Sequence, residues 1–577
     1  MKRKRTAAGL MALILIFTGA VPVAGAQAAI PTVSAAAASA NVLDARTVSA
    51  FLDRFFAEEQ NRLGTAAAVV SVVKKGSVVA EKGYGKLDKE SGNPVNPSNT
   101  TFRVGSVSKV FTVIALMQLV DQGKVGLQDN IEKYLDGYKL TNPFGKPVTV
   151  EMLLTHTTGF EVRDPTEANV LFDPSAKPVT LKESVFSTFP PVVREPGTSY
   201  MYDNFASQLV GYIVQKASGE SFNEYMSKHI FAPLGMTSST YDPAGALAKR
   251  LPAAYEVSGE QMPDYRLSPE VLPEGSMITT AADMSKFMTS FLNGGKTSNG
   301  QSLLSGSSHQ AMSAYQVSIH PSVPDMTYGF EAPAPLTDAN GRFIIAKGGS
   351  IPGFESYMFL LPGEQSGVFV STTALDPSLT MRLYGAFMDE FYPGSPKIGN
   401  SGYAPKPKSE LARFEGVYRD LRLGILLMNI KASGDGTLTG TDQAGQQVKF
   451  KQVGDLLFTD QDGNPLAFKQ DAQGRITYLK YANPGSYAVK LAEGTGFTDV
   501  TKDHPYARYI FGLQSLGVLP NDPSGSFGPD EQVNREEFIH AVMSQFGLPP
   551  STKKPVFKDL TASPYQAEIQ RPPSLDC

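Results

Sequence analysis

Hydrophobic positions change their spacing several times along the chain, and the changes predict a mixed α+β fold. Between residues 42 and 63 apolar side chains recur at intervals of three and four, which predicts an amphipathic helix. Two β-branched runs follow at 66–73 and 78–84, and the Lys75-Gly76 pair between them predicts a hairpin.

Helical spacing dominates the middle of the first 400 residues, and strand-like runs return after it. The predicted helices are 106–122, 205–217, 222–231 and 281–292, the last with Thr280 as its N-cap. The predicted strands are 328–332, 343–346, 356–361 and 367–371, followed by a helix at 377–391 with Asp376 as its N-cap. We therefore expect an antiparallel sheet built from the two ends of this region, with helices inserted between them.

The composition changes near residue 396, where a Gly-, Pro- and Lys-rich stretch predicts a linker over 396–409. About eight short strand candidates between 410 and 492 are separated by Gly, Asp and Asn turns, which is typical of a small closed barrel or sandwich. Helical segments reappear within 496–577. The predicted domains are thus 42–395, 410–492 and 496–577.

The first 28 residues have the pattern of an export signal. Four basic residues at positions 2–5 precede an apolar run at 10–17, and small residues at 24–28 suit signal peptidase. Pro22 ends the apolar segment before the roughly 20 residues that a membrane span needs. We expect cleavage after a signal peptide at 1–28, a linker at 29–41, an exported protein and no transmembrane span in the mature chain.

Charge and cysteine content exclude several classes of protein. Lys and Arg total 52 against 56 Asp and Glu, so the chain lacks the basic field that binds nucleic acid. The only cysteine is Cys577, and the six histidines are scattered, without the spacing of a zinc site. We expect no nucleic-acid partner, no metal, no cofactor and no disulfide.

A serine can act as a nucleophile when a base lies within hydrogen-bond reach. Ser106 and Lys109 are three residues apart at the start of a predicted helix, so one turn places both on the same face. Ser71 and Ser551 also begin Ser-x-x-Lys sequences. Ser71 lies in a predicted strand, where its lysine would face the other side, and Ser551 lies in a polar loop.

Two further clusters contain residues suited to the same chemistry. The first is Tyr202-Asp203-Asn204, in which a phenol close to an ammonium could shuttle a proton. The second is Lys347-Gly348-Gly349-Ser350, where the glycines would let a substrate approach the backbone. Tyr481-Ala482-Asn483 repeats the first spacing but falls in the barrel region, where we expect a strand leading into a turn. We expect His156, in a Thr-rich loop, to hold backbone and not to act as a base.

In this order along the chain, the clusters resemble those of the serine beta-lactamase and penicillin-binding-protein superfamily. The resemblance is to the class C-like branch, which includes D-aminopeptidases, D-Ala-D-Ala carboxypeptidases and esterases, and it implies a beta-lactamase/transpeptidase-like antiparallel sheet flanked by helices. It implies the following roles: Ser106 as acylated nucleophile, Lys109 as the amine that tunes it, Tyr202 as general base and acid, Lys347 as a second cation, Asn204, Gly349 and Ser350 as substrate contacts, and the N–H groups of Ser106 and Ser350 as an oxyanion hole.

One departure from the family pattern concerns the substrate. Many beta-lactamases have threonine after the lysine of the third motif, where its hydroxyl helps to hold the ligand carboxylate, but Gly348 stands there in this chain. The departure favours a peptidase or esterase.

The C-terminal regions resemble accessory modules. Residues 410–492 are similar in strand rhythm to a lipocalin-like barrel, and 496–577 resemble S-layer homology repeats, the second one incomplete. The resemblance implies contact between Arg535 and an anionic cell-wall polysaccharide, and an extracellular, wall-associated location.

Our main hypothesis is an exported serine hydrolase that forms an acyl-enzyme on D-amino-acid-containing peptides, cell-wall stem peptides or small esters. The alternatives are a class C-like beta-lactamase and a catalytically inert wall-binding or penicillin-binding protein.

Overall fold

The predicted hairpin is present in a computed structural model of the protein, as β1 (Thr65–Lys74) and β2 (Ser77–Gly85). Lys75 and Gly76 form its turn with φ of 47° and 76°. The structure describes residues 41–88, 90–164, 170–171, 179–187, 189–242, 244–268, 272–396, 398–400, 402–543 and 563–566. The predicted signal peptide and Ser551 lie outside these residues.

The two ends of the N-terminal region form one antiparallel sheet, as predicted. Its other strands are β3 (Ile345–Ile351), β4 (Phe354–Leu361) and β5 (Ser366–Ala374), and the order across the sheet is β2-β1-β5-β4-β3. The strand predicted at 328–332 is wrong, because only Glu331 makes a bridge to Ala346 at the edge of β3. The apolar pattern at Tyr328 and Phe330 reflects burial in the core and not pairing as a strand.

The five long helices are α1 (Ala45–Ala57), α2 (Ser108–Asp121), α3 (Asn204–Ser218), α4 (Ala281–Leu292) and α5 (Leu379–Phe391). Helices α1, α4 and α5 pack on the sheet, and α2 and α3 pack against each other. Thr280 caps α4 as predicted, accepting a hydrogen bond from the backbone N–H of Asp283. The prediction that Asp376 is the N-cap of α5 is wrong, because Ser378 occupies that position. The Asp376 carboxylate accepts from the N–H of Ser378, and α5 begins two residues later than predicted.

Shorter elements connect the long ones. The α-helical segments are Glu59–Leu63, Val150–Leu154, Leu181–Ser187, Phe222–Tyr225, Ala232–Leu234, Leu272–Gly275, Gly306–Met312 and Lys408–Leu411. The 3₁₀ segments are Gly105–Val107, Ile131–Tyr134, Ala246–Arg250, Thr337–Ala339, Pro362–Glu364 and Ala412–Phe414, and Met226–Phe231 is a π-helix. Three two-stranded ladders join Phe102–Arg103 to Ile278–Thr279, Val170–Leu171 to Arg266–Leu267, and Val317–His320 to Val323–Met326.

The sheet separates two hydrophobic clusters. Successive side chains of a strand point to opposite faces, so Val69 and Val73 of β1 join one cluster with α2, α3 and α4. Val70 and Val72 join the other cluster, with α1 and α5. The result is a three-layer arrangement in which a sheet buried on both faces fixes the position of the adjoining loops.

The C-terminal region contains a closed eight-stranded antiparallel barrel, which confirms the predicted barrel. Its strands are β6 (Gly416–Asp420), β7 (Leu427–Gly434), β8 (Thr437–Asp442), β9 (Gln447–Gly454), β10 (Leu457–Thr459), β11 (Pro465–Gln470), β12 (Ile476–Tyr481) and β13 (Ala488–Lys490). Pairing of Tyr418 with Lys490 closes it. Tyr481 ends β12 and Ala482 turns at a φ of 55°, so this second Tyr-x-Asn sequence is a strand end, as expected.

Helices α6 (Ala507–Ser515) and α7 (Arg535–Met543) follow the barrel. The chain forms two compact units. One extends to Ile398 and includes Ala482–Gly485, and the other contains Gly399–Tyr481 and the residues from Ser486 onward. No helix among the described residues is both long and apolar enough to cross a bilayer.

Candidate active site

Ser106 lies in a tight turn between the Phe102–Arg103 strand and α2. The turn is the 3₁₀ segment Gly105–Val107, so the predicted helix becomes α-helical only at Ser108. Ser106 is buried, and Lys109 Nζ lies 2.9 Å from Ser106 Oγ. The same ammonium donates to the backbone oxygen of Glu274 at 2.8 Å, which holds it beside the hydroxyl.

Tyr202 and Lys347 reach the same place from distant parts of the chain. Tyr202 precedes α3, and Lys347 lies on the edge strand β3. The centre of the Tyr202 ring is 5.1 Å from Lys109 Nζ and 4.6 Å from Lys347 Nζ. The structure therefore brings the hydroxyl, both ammonium groups and the phenol ring together, whereas Ser71 lies within β1.

Two glycines let the Ser106 turn touch β3. A Cβ on Gly349 would lie 2.0 Å from the backbone oxygen of Val104 and 2.8 Å from the backbone nitrogen of Ser106. Gly105 has a φ of +51°, and a Cβ there would lie 2.8 Å from the backbone nitrogen of Ser350. Contact at this distance requires residues without side chains, and it makes the backbones of Ser106 and Ser350 neighbours.

The loop that contains His156 holds the segment around Tyr202. The backbone oxygen of His156 accepts a hydrogen bond from the N–H of Met201 at 3.0 Å, and His156 Nδ1 accepts one from the N–H of Asp203 at 3.2 Å. Thr158 Oγ1 donates to Asp203 Oδ2 at 3.1 Å. The expectation that His156 holds backbone is confirmed.

Three predicted site residues each contact a carboxylate that the sequence analysis missed. Lys347 Nζ is 2.5 Å from Glu331 Oε1, Asn204 Nδ2 donates to Asp164 Oδ1 at 2.8 Å, and Ser350 Oγ donates to Glu355 Oε1 at 2.6 Å. Of these partners only Glu355 had a usable sequence signal, because a strand register places it opposite Ser350.

The pKa of Glu355 is raised to about 8 because burial removes water from its carboxylate, although the hydrogen bond from Ser350 opposes that shift. Among the described residues no group of three or more His, Cys, Asp or Glu side chains is arranged to hold a metal ion.

Comparison with known proteins places the chain in a family. The Beta-lactamase family matches residues 52–386 of the 577, and the chain belongs to that family. The S-layer homology domain matches residues 496–539, so the C-terminal region contains such a domain. Arg535 begins α7 within it and is exposed. An S-layer homology domain indicates association with the cell surface.

Individual relatives cover parts of the chain. The "Putative penicillin-binding protein PbpX" of Bacillus subtilis (strain 168) is 29% identical over 230 residues, which are 39% of this chain and 54% of that protein. "Protein flp" of Staphylococcus aureus (strain MW2) is 24% identical and covers 52% of this chain and 58% of its own length. The chain thus spans about half the length of the curated relatives it matches.

A solved structure shows the fold. SurE, in a crystal structure with D-Leu, has a TM-score of 0.54 and 19% identity, and the match covers 78% of this chain and 99% of that one.

Proposed function

We propose that the protein is an exported serine hydrolase that forms an acyl-enzyme on D-amino-acid-containing peptides, cell-wall stem peptides or small esters. The observation that supports this best is the 2.9 Å separation between Ser106 Oγ and Lys109 Nζ, beside the Tyr202 ring and a second ammonium. Serine acyl transfer requires a hydroxyl with a base within hydrogen-bond reach, and the phenol and amines of this buried site are candidates for that base.

In the proposed acylation step, Ser106 Oγ attacks the carbonyl carbon of the substrate and its proton passes to Tyr202. The neighbouring ammonium groups of Lys109 and Lys347 stabilise a phenolate by Coulomb attraction. The carbonyl oxygen becomes an oxyanion, which the N–H groups of Ser106 and Ser350 stabilise. The bond to the leaving group then breaks, and Tyr202 returns the proton to that group.

Deacylation repeats the sequence with water. A water molecule loses a proton to the phenolate and attacks the ester carbonyl, and Ser106 Oγ leaves with that proton. The products are a carboxylic acid and the free serine. In this scheme Asn204, held by Asp164, orients the substrate amide.

Two observations support the proposed substrate class. Gly348 supplies no hydroxyl for a substrate carboxylate, which favours peptidase or esterase chemistry over beta-lactam hydrolysis. SurE, whose fold is similar, was crystallised with D-Leu. A beta-lactamase activity is the alternative.

Three chromogenic substrates test the proposal: p-nitrophenyl acetate, nitrocefin and D-Ala-p-nitroanilide, each with the wild-type protein and with Ser106→Ala. We expect turnover of the ester or the D-anilide that disappears in Ser106→Ala. We also expect mass spectrometry to find an acyl adduct on Ser106. Nitrocefin as the fastest substrate would make the protein a beta-lactamase. Turnover that persists in Ser106→Ala would refute acyl transfer by this serine.

We further propose that a signal peptide at 1–28 directs export and that the S-layer homology domain retains the protein on wall polysaccharide through Arg535. Its exposed guanidinium suits a planar anion.

A further inference from the structure

Lys347 is paired with a carboxylate inside the candidate site. Its Nζ is 2.5 Å from Glu331 Oε1, and its side chain is only 1% exposed. The Glu331 side chain is 23% exposed, so the carboxylate lies on the more open side of the pair. The pair has no net formal charge, although an unpaired lysine on this strand would present a full positive charge.

Backbone hydrogen bonds hold Glu331 in this position. Its N–H donates to the backbone oxygen of Ala346 at 2.8 Å, and the N–H of Ala346 donates back at 2.9 Å. This bridge lies on the edge of β3 that does not pair with β4. Because the main chain fixes residue 331 beside the lysine strand, the carboxylate is built into the site and is not a mobile surface group.

The other residues of β3 provide few side-chain hydrogen-bond donors for an anion. Gly348 has no side-chain hydroxyl, and the hydroxyl of Ser350 already donates to Glu355 Oε1 at 2.6 Å. A substrate carboxylate placed near Lys347 Nζ would also lie near Glu331. Its attraction to the ammonium and its repulsion from the carboxylate would then be comparable in size.

We propose that Glu331 is a specificity-determining residue that directs the site to acyl donors without a carboxylate next to the scissile bond. The favoured substrates are neutral esters and D-aminoacyl amides or esters with a free amino group. Beta-lactams and peptides ending in a free D-residue are disfavoured, because a like charge at the binding position costs affinity. This inference rests on the proposed function and narrows its substrate class.

Glu331→Gln tests the inference, because glutamine keeps an oxygen that accepts from Lys347 and removes only the charge. We expect kcat/KM for anionic nitrocefin to rise about tenfold or more relative to that for neutral p-nitrophenyl acetate. The readout is this ratio, because any effect of the lost charge on Lys347 and Tyr202 acts on the turnover of both substrates. Glu364→Gln is the matched control, since Glu364 lies 3.7 Å from Arg342 Nε beyond the far end of the β3–β4 hairpin.

A binding measurement gives a readout that needs no turnover. N-acetyl-D-alanine and its uncharged methyl ester are titrated by calorimetry into Ser106→Ala and into Ser106→Ala/Glu331→Gln. We expect the double variant to bind the acid about tenfold more tightly and the ester unchanged. Equal changes for both ligands, or none, would overturn the role of Glu331 even where the serine proves active. If the wild-type protein turns over none of the substrates but the double variant still binds the acid more tightly and the ester unchanged, only the proposed reaction is refuted.

Discussion

Gly105→Ala tests whether the contact between the Ser106 turn and β3 forms the oxyanion hole. The added Cβ would lie 2.8 Å from the backbone nitrogen of Ser350, and ordinary contact needs about 3.5 Å, so the strand must move by about 0.7 Å. A misplacement of about 1 Å can reduce a rate about 100-fold, and loss of one oxyanion donor costs about 10²–10³. We therefore expect kcat/KM for p-nitrophenyl acetate to fall by about 10²–10³.

The positive φ of residue 105 adds a second effect that must be separated from the first. Alanine in the left-handed region costs roughly 1–2 kcal/mol of stability wherever it occurs. Gly123→Ala is the matched control, because Gly123 has a φ of +69° just after the other end of α2 and its Cβ would meet nothing within 4 Å. Both variants are assayed for kcat/KM and for unfolding in urea. A folded Gly105→Ala protein as active as Gly123→Ala would refute the reasoning.

Two further predictions concern charge. The pKa of Glu355 is raised to about 8 in the folded protein from 4.5, so its contribution to stability is fully present below pH 4.5 and decreases as pH rises toward 8. Between about pH 5 and 8 the raised pKa lowers the free energy of unfolding of the wild-type protein by up to about 5 kcal/mol, and its melting temperature should fall accordingly. Glu355→Gln should flatten that fall, and a variant with the wild-type pH profile would contradict the raised pKa of Glu355. Arg535→Ala should weaken retention on purified sacculi about tenfold or more, whereas the nearby Glu536→Gln should not, and sacculi stripped of polysaccharide should bind neither form.

Local patterns predicted much of the fold because local interactions form those elements. The β1–β2 hairpin depends on alternating side chains and a two-residue turn. Asp376 shows the limit of such reasoning. An aspartate before a helix is a common cap, but this one accepts from Ser378 and from Arg382 Nη1, and these contacts place it outside the helix start.

The sequence predicted only those residues of the candidate site that belong to short motifs. Ser106 and Lys109 are one turn apart, and their contact follows from that spacing. Glu331 is 16 residues from Lys347 and reaches it through a backbone bridge, while Asp164 is 40 residues from Asn204. No periodicity connects such pairs, because the folded sheet and loops, and not the local sequence, decide which carboxylate meets which donor.

The pairing of β1 with β5 joins the first strand of the sheet to its last. A ribosome that adds 5–20 residues per second needs about 15–60 s to travel from one strand to the other. A nascent chain that ends before residue 345 contains Ser106 but lacks the strand with Lys347 and Ser350. In the proposed mechanism Ser106 therefore lacks the Lys347 ammonium and the Ser350 N–H until this region is almost complete, and acylation by that mechanism requires the closed sheet.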